Sequence, residues 1–566
     1  MGYAATRTLE RVAAAMGELE SGPVVFEAAQ DIPSGGVLLA VPALLAMGLL
    51  RHSLELYSLP RGYYGLSGIL LLLAMMALAR LKSVEQLRYV APGEWGNLLG
   101  LDRIPEVRTL RAKLQVLCRQ AGRAVSWNTE LAKEWMGLRP DAEPMFYVDG
   151  QVRVYQGKSA QLPRHYVPRQ KLYLRATVDY WVNAMDGQPF VYLNQEIDHG
   201  LVQALREEVI PWVEANFAVS PEQQRRMEAD EGQPRFTVVF DREGYSPDLF
   251  EELQQRRIAV LSYHRYPRGD WNTEEFREQT VELINGERVS MRLAERETRL
   301  PKGLAVREVR KWSEGGEQIS LLTTHRRLEI TAVAASLFAR WAQENFFRYM
   351  RQHYALDALV ERGSQAISDT EVTVNPAWRA LHNEVRKRHA VLRKERARFA
   401  AVSLTAPLSP AEVTRYQAVQ AQQQEKIQHL QSELDQIKKQ RKTTPHHLPV
   451  KDLPEADRFT RLLPERKHFI DTIKMISYRA ETSLVSILRE KMARSDDARC
   501  LLLQIFHTEI DLVPDLQAKT LTVRLHHLTQ AAHDDVARHL CEQLNETETI
   551  FPDTQLRLIF QVGDSA

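Results

Sequence analysis

The spacing of apolar residues changes along the chain, and the changes divide it. Up to about Trp135, Leu, Ala and Met recur at intervals of three and four, the period of buried helices. From Pro144 to about His264 strands alternate with helices. Residues 145 to 157 (MFYVDGQVRVYQG) read as strand, turn and strand, since Asp149-Gly150 is a favoured two-residue hairpin turn. KLYLRATVDYWVNA (171–184) and PFVYLNQ (189–195) read as two strands joined across Asp186-Gly187. LVQALREEVIPWVEANF is a helix kinked or broken at Pro211. FTVVFD (236–241) and IAVLSYH are apolar enough to be buried on both faces, and Ser246-Pro247 opens the helix between them.

Farther on, RVSMRLAERETRL, LAVREVRKW and QISLLTT predict a β-rich insertion over about 270–322, before a long helix from Glu329 to about Leu359. Past Pro376, Trp378, Leu381, Val385, Leu392 and Phe399 keep helical spacing. So do Val413, Tyr416, Ile427, Leu430, Leu434 and Ile437. Two such stretches around Pro407 and Pro410 predict an antiparallel helical hairpin or coiled coil. TTPHHLPVKDLPEAD reads as a linker, and TLTVRLHHL and QLRLIFQV as strands of the tail. Four segments result: a helical N-terminal domain (1–135), an α/β domain (136–365), the hairpin (366–445) and a small α+β C-terminal domain (446–566).

Composition removes several classes of function. Lys and Arg number 74 against 73 Asp and Glu, so binding to nucleic acid through overall charge is excluded. Local basic faces are not: from Pro376 to Ala400 eight Lys/Arg face two Glu. Arg386, Lys387 and Arg388 lie at the centre of this arm and are candidate phosphate contacts, against the alternative of a solvated helix face. Three scattered cysteines exclude a disulfide scaffold and a Cys-based zinc site, and suit the cytoplasm. The apolar runs 36–50 and 68–79 are shorter than the roughly 18–20 residues of a membrane span, so no membrane association is expected. No phosphate-binding glycine loop and no HExxH motif occur.

What remains is a set of acids at the ends of apolar strands. Asp149 follows FYV, Asp241 follows TVVF, and Glu344 lies in RWAQENFFRYMRQH. Carboxylates from separate elements can hold two hard divalent cations for in-line phosphoryl displacement. Each acid has a structural alternative. Asp149 can be a turn residue, with Asp179 as its rival; Asp241 can pair with Arg242; Glu344 can pair with Arg340 and Arg348 at i±4. Phe338, Trp341 and Phe346 nevertheless make the last helix apolar over a wide arc, which predicts that Glu344 is buried against the sheet.

In order, VDG (148–150), FDREGYS (240–246) and RWAQENFFRYMR (340–351) resemble the DDE transposases of bacterial insertion sequences. In one branch the glutamate helix carries tyrosine, arginine, glutamate and lysine at fixed spacing. Here Arg340 and Glu344 take the second and third places, Leu337 stands at the tyrosine and Arg351 at the lysine. The resemblance implies a multidomain α/β protein: an RNase H-like mixed sheet with an inserted β-rich subdomain, flanked by the helical domain, the hairpin and the α+β tail. It implies metal-dependent DNA strand cleavage and strand transfer, with Asp149, Asp241 and Glu344 on two Mg²⁺ ions, for which Mn²⁺ can substitute. Arg340, Arg348 and Arg351 would contact phosphates. The expected partners are double-stranded DNA (transposon ends and target) and a second copy of the chain on DNA, with the protein on the nucleoid when bound. The competing classes are a repurposed relative that binds DNA without cutting it, and a non-enzymatic coiled-coil protein.

Overall fold

The computed structural model describes residues 6–138, 144–158, 160–167, 170–195, 197–284, 286–360, 363–400, 410–455 and 458–563. The chain forms two compact units that are discontinuous in sequence. One comprises Met1–Tyr155, Val178–Arg362 and Leu463–Ala566; the other comprises Gln156–Thr177 and Gly363–Leu462. The linear four-segment division therefore cuts across the first unit, which takes residues from three of its segments.

A mixed sheet organises the first unit. Its strands are β1 (Met145–Val154), β2 (Leu172–Asn183), β3 (Pro189–Asn194), β4 (Phe236–Phe240) and β5 (Ile258–Tyr263), in spatial order β3-β2-β1-β4-β5. β2 and β3 are antiparallel, whereas β4 runs parallel to β1 and β5 parallel to β4. Every residue of β4 is buried, as its unbroken apolar sequence requires. The expected hairpin at Asp149-Gly150 is not there: β1 runs unbroken through both residues. The favoured Asp-Gly turn needs positive φ at both central positions, and neither residue adopts it.

The insertion extends this sheet. β6 (Arg277–Glu282), β7 (Arg288–Arg299), β8 (Ala305–Trp312) and β9 (Gln318–Thr323) form an antiparallel meander whose last strand pairs with β5. The helix after β3 contains a π turn at Leu205–Val209 directly before Pro211, where the missing N–H removes a rung of the ladder. The long helix expected from Glu329 is two helices, α1 (Ile330–Phe338) and α2 (Arg340–Tyr354), divided at Ala339.

Two further helices close the unit. α3 (Glu465–Arg489) is buried over most of its length, and the apolar helix α4 (Leu66–Leu78) packs on it. The short strand Ala29–Ile32, unforeseen in a segment read as helical, pairs with Ile510–Asp515 in a four-stranded sheet. The chain's two ends thus share one sheet. Among the described residues no helix is long and apolar enough to cross a membrane.

The buried acids Asp471 and Glu481 on α3 are paired with cations. Asp471 accepts from Arg153 of β1 (2.7 Å) and from Lys467, and Arg153 also pairs with Asp179. Glu481 accepts from Arg80 (2.9 Å), Arg499 (3.0 Å) and the hydroxyls of Tyr349 and Tyr354. Burial raises the cost of ionising Glu481, but the two guanidiniums outweigh it and hold the carboxyl below its usual range.

In the second unit α5 (Pro376–Ala400) and α6 (Pro410–Thr443) form an antiparallel hairpin. It closes on Val385, Leu392, Leu430 and Leu434, with Ile427 and Ile437 beside them. The intervening Pro407 lies outside the described residues. The stretch expected to be a linker contributes a strand, His447–Pro449, paired with Val372–Val374. Asn375 caps α5 by accepting from the Ala377 N–H at 2.9 Å.

Candidate active site

The parallel register of β1 and β4 decides where the first two acids meet. Tyr147 is level with Val239, so two residues farther along Asp149 is level with Asp241 and on the same face. The two strands lie about 4.8 Å apart, the ordinary sheet spacing. Asp241 follows β4 directly and caps a short turn, its Oδ1 accepting from the Glu243 N–H at 2.9 Å. It makes no ion pair with Arg242 among the described residues; that guanidinium lies over the Tyr263 ring, 5.6 Å from its centroid.

Helix α2 is docked on these strands by hydrogen bonds. The buried Gln343 donates to the Tyr147 carbonyl (3.1 Å) and to Asn183 Oδ1 (2.9 Å). The Tyr147 hydroxyl donates to the Ser336 carbonyl at 2.6 Å and so holds α1 as well. At the β2–β3 turn, Gly187 (φ +83°) admits α2 closely: a Cβ there would stand 2.6 Å from the Ala342 carbonyl oxygen. The orientation that results differs from the expected one. Phe346, Phe347, Met350 and Tyr354 face inward with Gln343, while Trp341, 61% exposed, faces outward. Glu344 is accordingly exposed and not buried against the sheet. Neither Arg340 nor Arg348 pairs with it among the described residues.

Arg340 points to the strands instead. Only 7% exposed, it places a guanidinium nitrogen 3.9 Å from Asp149 Oδ2, while its Nε has no hydrogen-bond partner. Tyr263, at the end of β5, lies in the combined field of Arg340, Glu344, Arg242 and Asp241. Asp149 sits in a recess, its side chain one quarter exposed. Burial raises its pKa, Arg340 opposes the rise, and the negative charges of Asp241 and Glu243 add to it; the carboxyl is pushed up to about 7. Glu243 was not singled out in the sequence, although it stands inside FDREGYS. Protein packed around it and the charges of Asp241 and Asp198 raise it as well.

Asp179, the rival first acid, is 1% exposed and held by Arg153 and Asn194 within the buried network described above. Arg348 is exposed on the outer face of α2, and Arg351 reaches Gln151 of β1 at 3.5 Å. The arrangement gathers carboxylates at the rim of a parallel strand pair, with one buried guanidinium among them. Such a group can hold hard cations and bind phosphate oxygens.

A family model described as "Transposase protein" matches residues 2–564. The chain belongs to this transposase family. No curated protein matches it. Transposases in general bind DNA, and membership implies a nuclease or transferase activity of that general kind. The basic arm, taken by itself, has surface to offer. Arg388 is engaged by Glu384 (3.0 Å) and Glu433 (2.8 Å), so it braces the hairpin. Arg386 and Lys387 are exposed and, among the described residues, form no ion pair; Arg393 and Lys394 repeat them seven residues on. Seven residues are about 10.5 Å along a helix, which makes a stripe of cations on one face.

Proposed function

We propose that this transposase cuts and joins DNA at a DDE centre of the RNase H-like type, in which Asp149, Asp241 and Glu344 ligate two Mg²⁺ ions. The register that sets Asp149 level with Asp241, beneath a helix presenting Arg340 and Glu344, carries the reading. The β3-β2-β1-β4-β5 sheet and its meander insertion support the assignment of type. The donor set fits the metal: hard oxygen ligands from three elements, with an Asp149 carboxyl that burial holds above its usual range even beside Arg340.

Bound Mg²⁺ would polarise the scissile phosphate and lower the pKa of the attacking oxygen. The chain's own residues do the rest. The sheet fixes Asp149 and Asp241 without side-chain reorganisation, and Gln343 fixes the pitch of α2 and so the place of Glu344. Arg340, Arg348 and Arg351 offer guanidinium forks to phosphate oxygens around the break. Arg386 and Lys387 hold DNA backbone on the hairpin. Two copies of the chain act together, one at each element end.

The test uses the purified protein, a supercoiled plasmid carrying the element's flanking ends, and Mg²⁺ or Mn²⁺. Nicking or excision that disappears in Asp241→Ala and Glu344→Ala, with DNA binding retained, supports the reading. Binding without cleavage under either metal would leave a repurposed DNA-binding relative. Cleavage that survives both substitutions would remove these acids from the chemistry.

A further inference from the structure

A cavity of about 550 Å³ lies in the first unit among α4, the helix Val107–Leu117, α3 and the segment following α2. The carboxylate centre does not use it, and its volume lies within the range of small-molecule sites. Its inner wall is aliphatic: Leu73, Leu114 and Ile473 are almost wholly buried, and Val360 closes one side. The wall is not uniformly apolar. Ser83 and Gln115 stand at its exposed rim and offer hydrogen-bonding groups there.

The charge around the cavity is one-sided. Five cations line it, Lys82, Arg108, Arg111, Arg466 and Lys474, against the single acid Glu85. Glu85 is already taken by Arg111, and by Arg88 at 3.3 Å. Lys474 is committed too, donating to the Ala355 carbonyl at 3.1 Å. Lys82, Arg108 and Arg466 form no ion pair among the described residues. Cations left unpaired beside a concave apolar wall fit a ligand with an apolar body and an anionic end.

We propose that this cavity binds a nucleoside phosphate, with the flat base between the aliphatic walls and the phosphate at Lys82, Arg108 and Arg466. A base presents donors and acceptors along its edge, which Ser83 and Gln115 can meet; the amide of Gln115 offers one of each. A saturated acyl chain would make no use of either group, whereas a base edge at the cavity mouth can bond both. The same chemistry has two sources, a free nucleotide or the terminal nucleotide of a DNA strand. His353 and Tyr354, from the last turn of α2, line the cavity, so the occupant touches the helix that carries Glu344.

The experiment is calorimetric titration of the full chain with ATP and dAMP in EDTA, which keeps metal nucleotides off the carboxylate centre. Two variants serve: the pair Arg108→Glu with Arg466→Glu, and Ala112→Trp, which fills the cavity from an exposed position on its rim. Binding by the native chain that weakens roughly tenfold or more in both variants, with melting temperatures unchanged, is the expected result. A 5′-phosphorylated oligonucleotide that displaces dAMP identifies a strand terminus as the ligand; failure to displace it identifies the free nucleotide. Oleate binding in place of either nucleotide, equal nucleotide affinity in the variants, or no binding at all would overturn the proposal. Because the readout needs neither metal nor cleavage, it stands or falls apart from the DDE assignment.

Discussion

Replacing Asp149 by Asn is expected to stabilise the metal-free protein, and to do so more as pH rises. In the folded chain the carboxyl ionises near 7 in place of 3.8, because burial and the charges of Asp241 and Glu243 outweigh Arg340. Between these values the unfolded chain has lost the proton that the folded chain keeps. Stability therefore falls as pH rises through this window and is level above it. At 1.36 kcal/mol per pH unit the full effect is about 4 kcal/mol, an upper limit that water entry and Arg340 movement reduce. Asn mimics the neutral acid, so the loss of attraction to Arg340 is already counted. A chain of this size does not unfold in one step, so the measurement is local: amide hydrogen exchange at Phe146–Val148 and Val238–Phe240, in EDTA, at pH 5 and pH 8. The expected protection gain in Asp149→Asn is at most about 1.6 kcal/mol at pH 5 and about two to three kcal/mol larger at pH 8 (about 1.36 kcal/mol for each pH unit up to 7). Other titrating groups cancel in the difference between the two proteins. A gain independent of pH, or a loss at pH 8, would show that the carboxylate is satisfied where it stands and would refute the crowding argument.

Three further outcomes follow from the same geometry. At limiting Mg²⁺, cleavage is expected to rise about tenfold per pH unit below 7 and to level off above it, because metal competes with the Asp149 proton; a flat profile from pH 5.5 to 8 contradicts this. Glu481→Gln leaves Arg80 and Arg499 facing each other without a counter-charge, and should cost about 3 kcal/mol together with some cleavage, read from the first thermal transition and from plasmid nicking. Charge reversal at Arg386 and Lys387 is expected to weaken DNA binding and to flatten its salt dependence by about two in log–log slope, whereas Arg388→Glu should lower hairpin stability instead.

The elements that sequence reveals best here are those whose burial is symmetrical. FTVVFD and IAVLSYH are strands buried on both faces, so an apolar run suffices to find them. Register and partners are another matter. Nothing in AQDI (29–32) announces a strand. It is four residues long, Asp31 takes φ +54°, and its partner begins some 480 residues away. Asp149-Gly150 shows the reverse error: local turn chemistry favoured a hairpin, and pairing with β4 on one side and β2 on the other kept the strand straight. A helix gives a third kind of difficulty. α2 has enough apolar residues for an inward face, but Trp341 misleads about which way it points. The polar Gln343 belongs to the core because Tyr147 and Asn183 supply its partners, and that rotation carries Glu344 out to solvent. For the metal and DNA contacts proposed for this acid, an exposed position one turn beyond a buried arginine is the more useful one.

Charge was the least legible property, since one sum mixes two populations. Arg153, Asp179, Lys467, Asp471, Arg80 and Glu481 are interior or nearly so and neutralise one another inside the fold. Removing such pairs from the balance leaves the surface to be judged by position. On α5, Arg388 turns inward to two glutamates and Arg398 is paired with Glu395, so the excess of basic residues in that arm overstates its free charge. The part that survives is the repeat of Arg386-Lys387 at Arg393-Lys394. A polyanion running along the helix would meet both pairs without bending either side chain back toward the hairpin core. A globular acidic partner would engage them singly. A salt slope that falls in two equal steps as the two pairs are removed in turn is therefore the signature of a nucleic-acid backbone lying along α5.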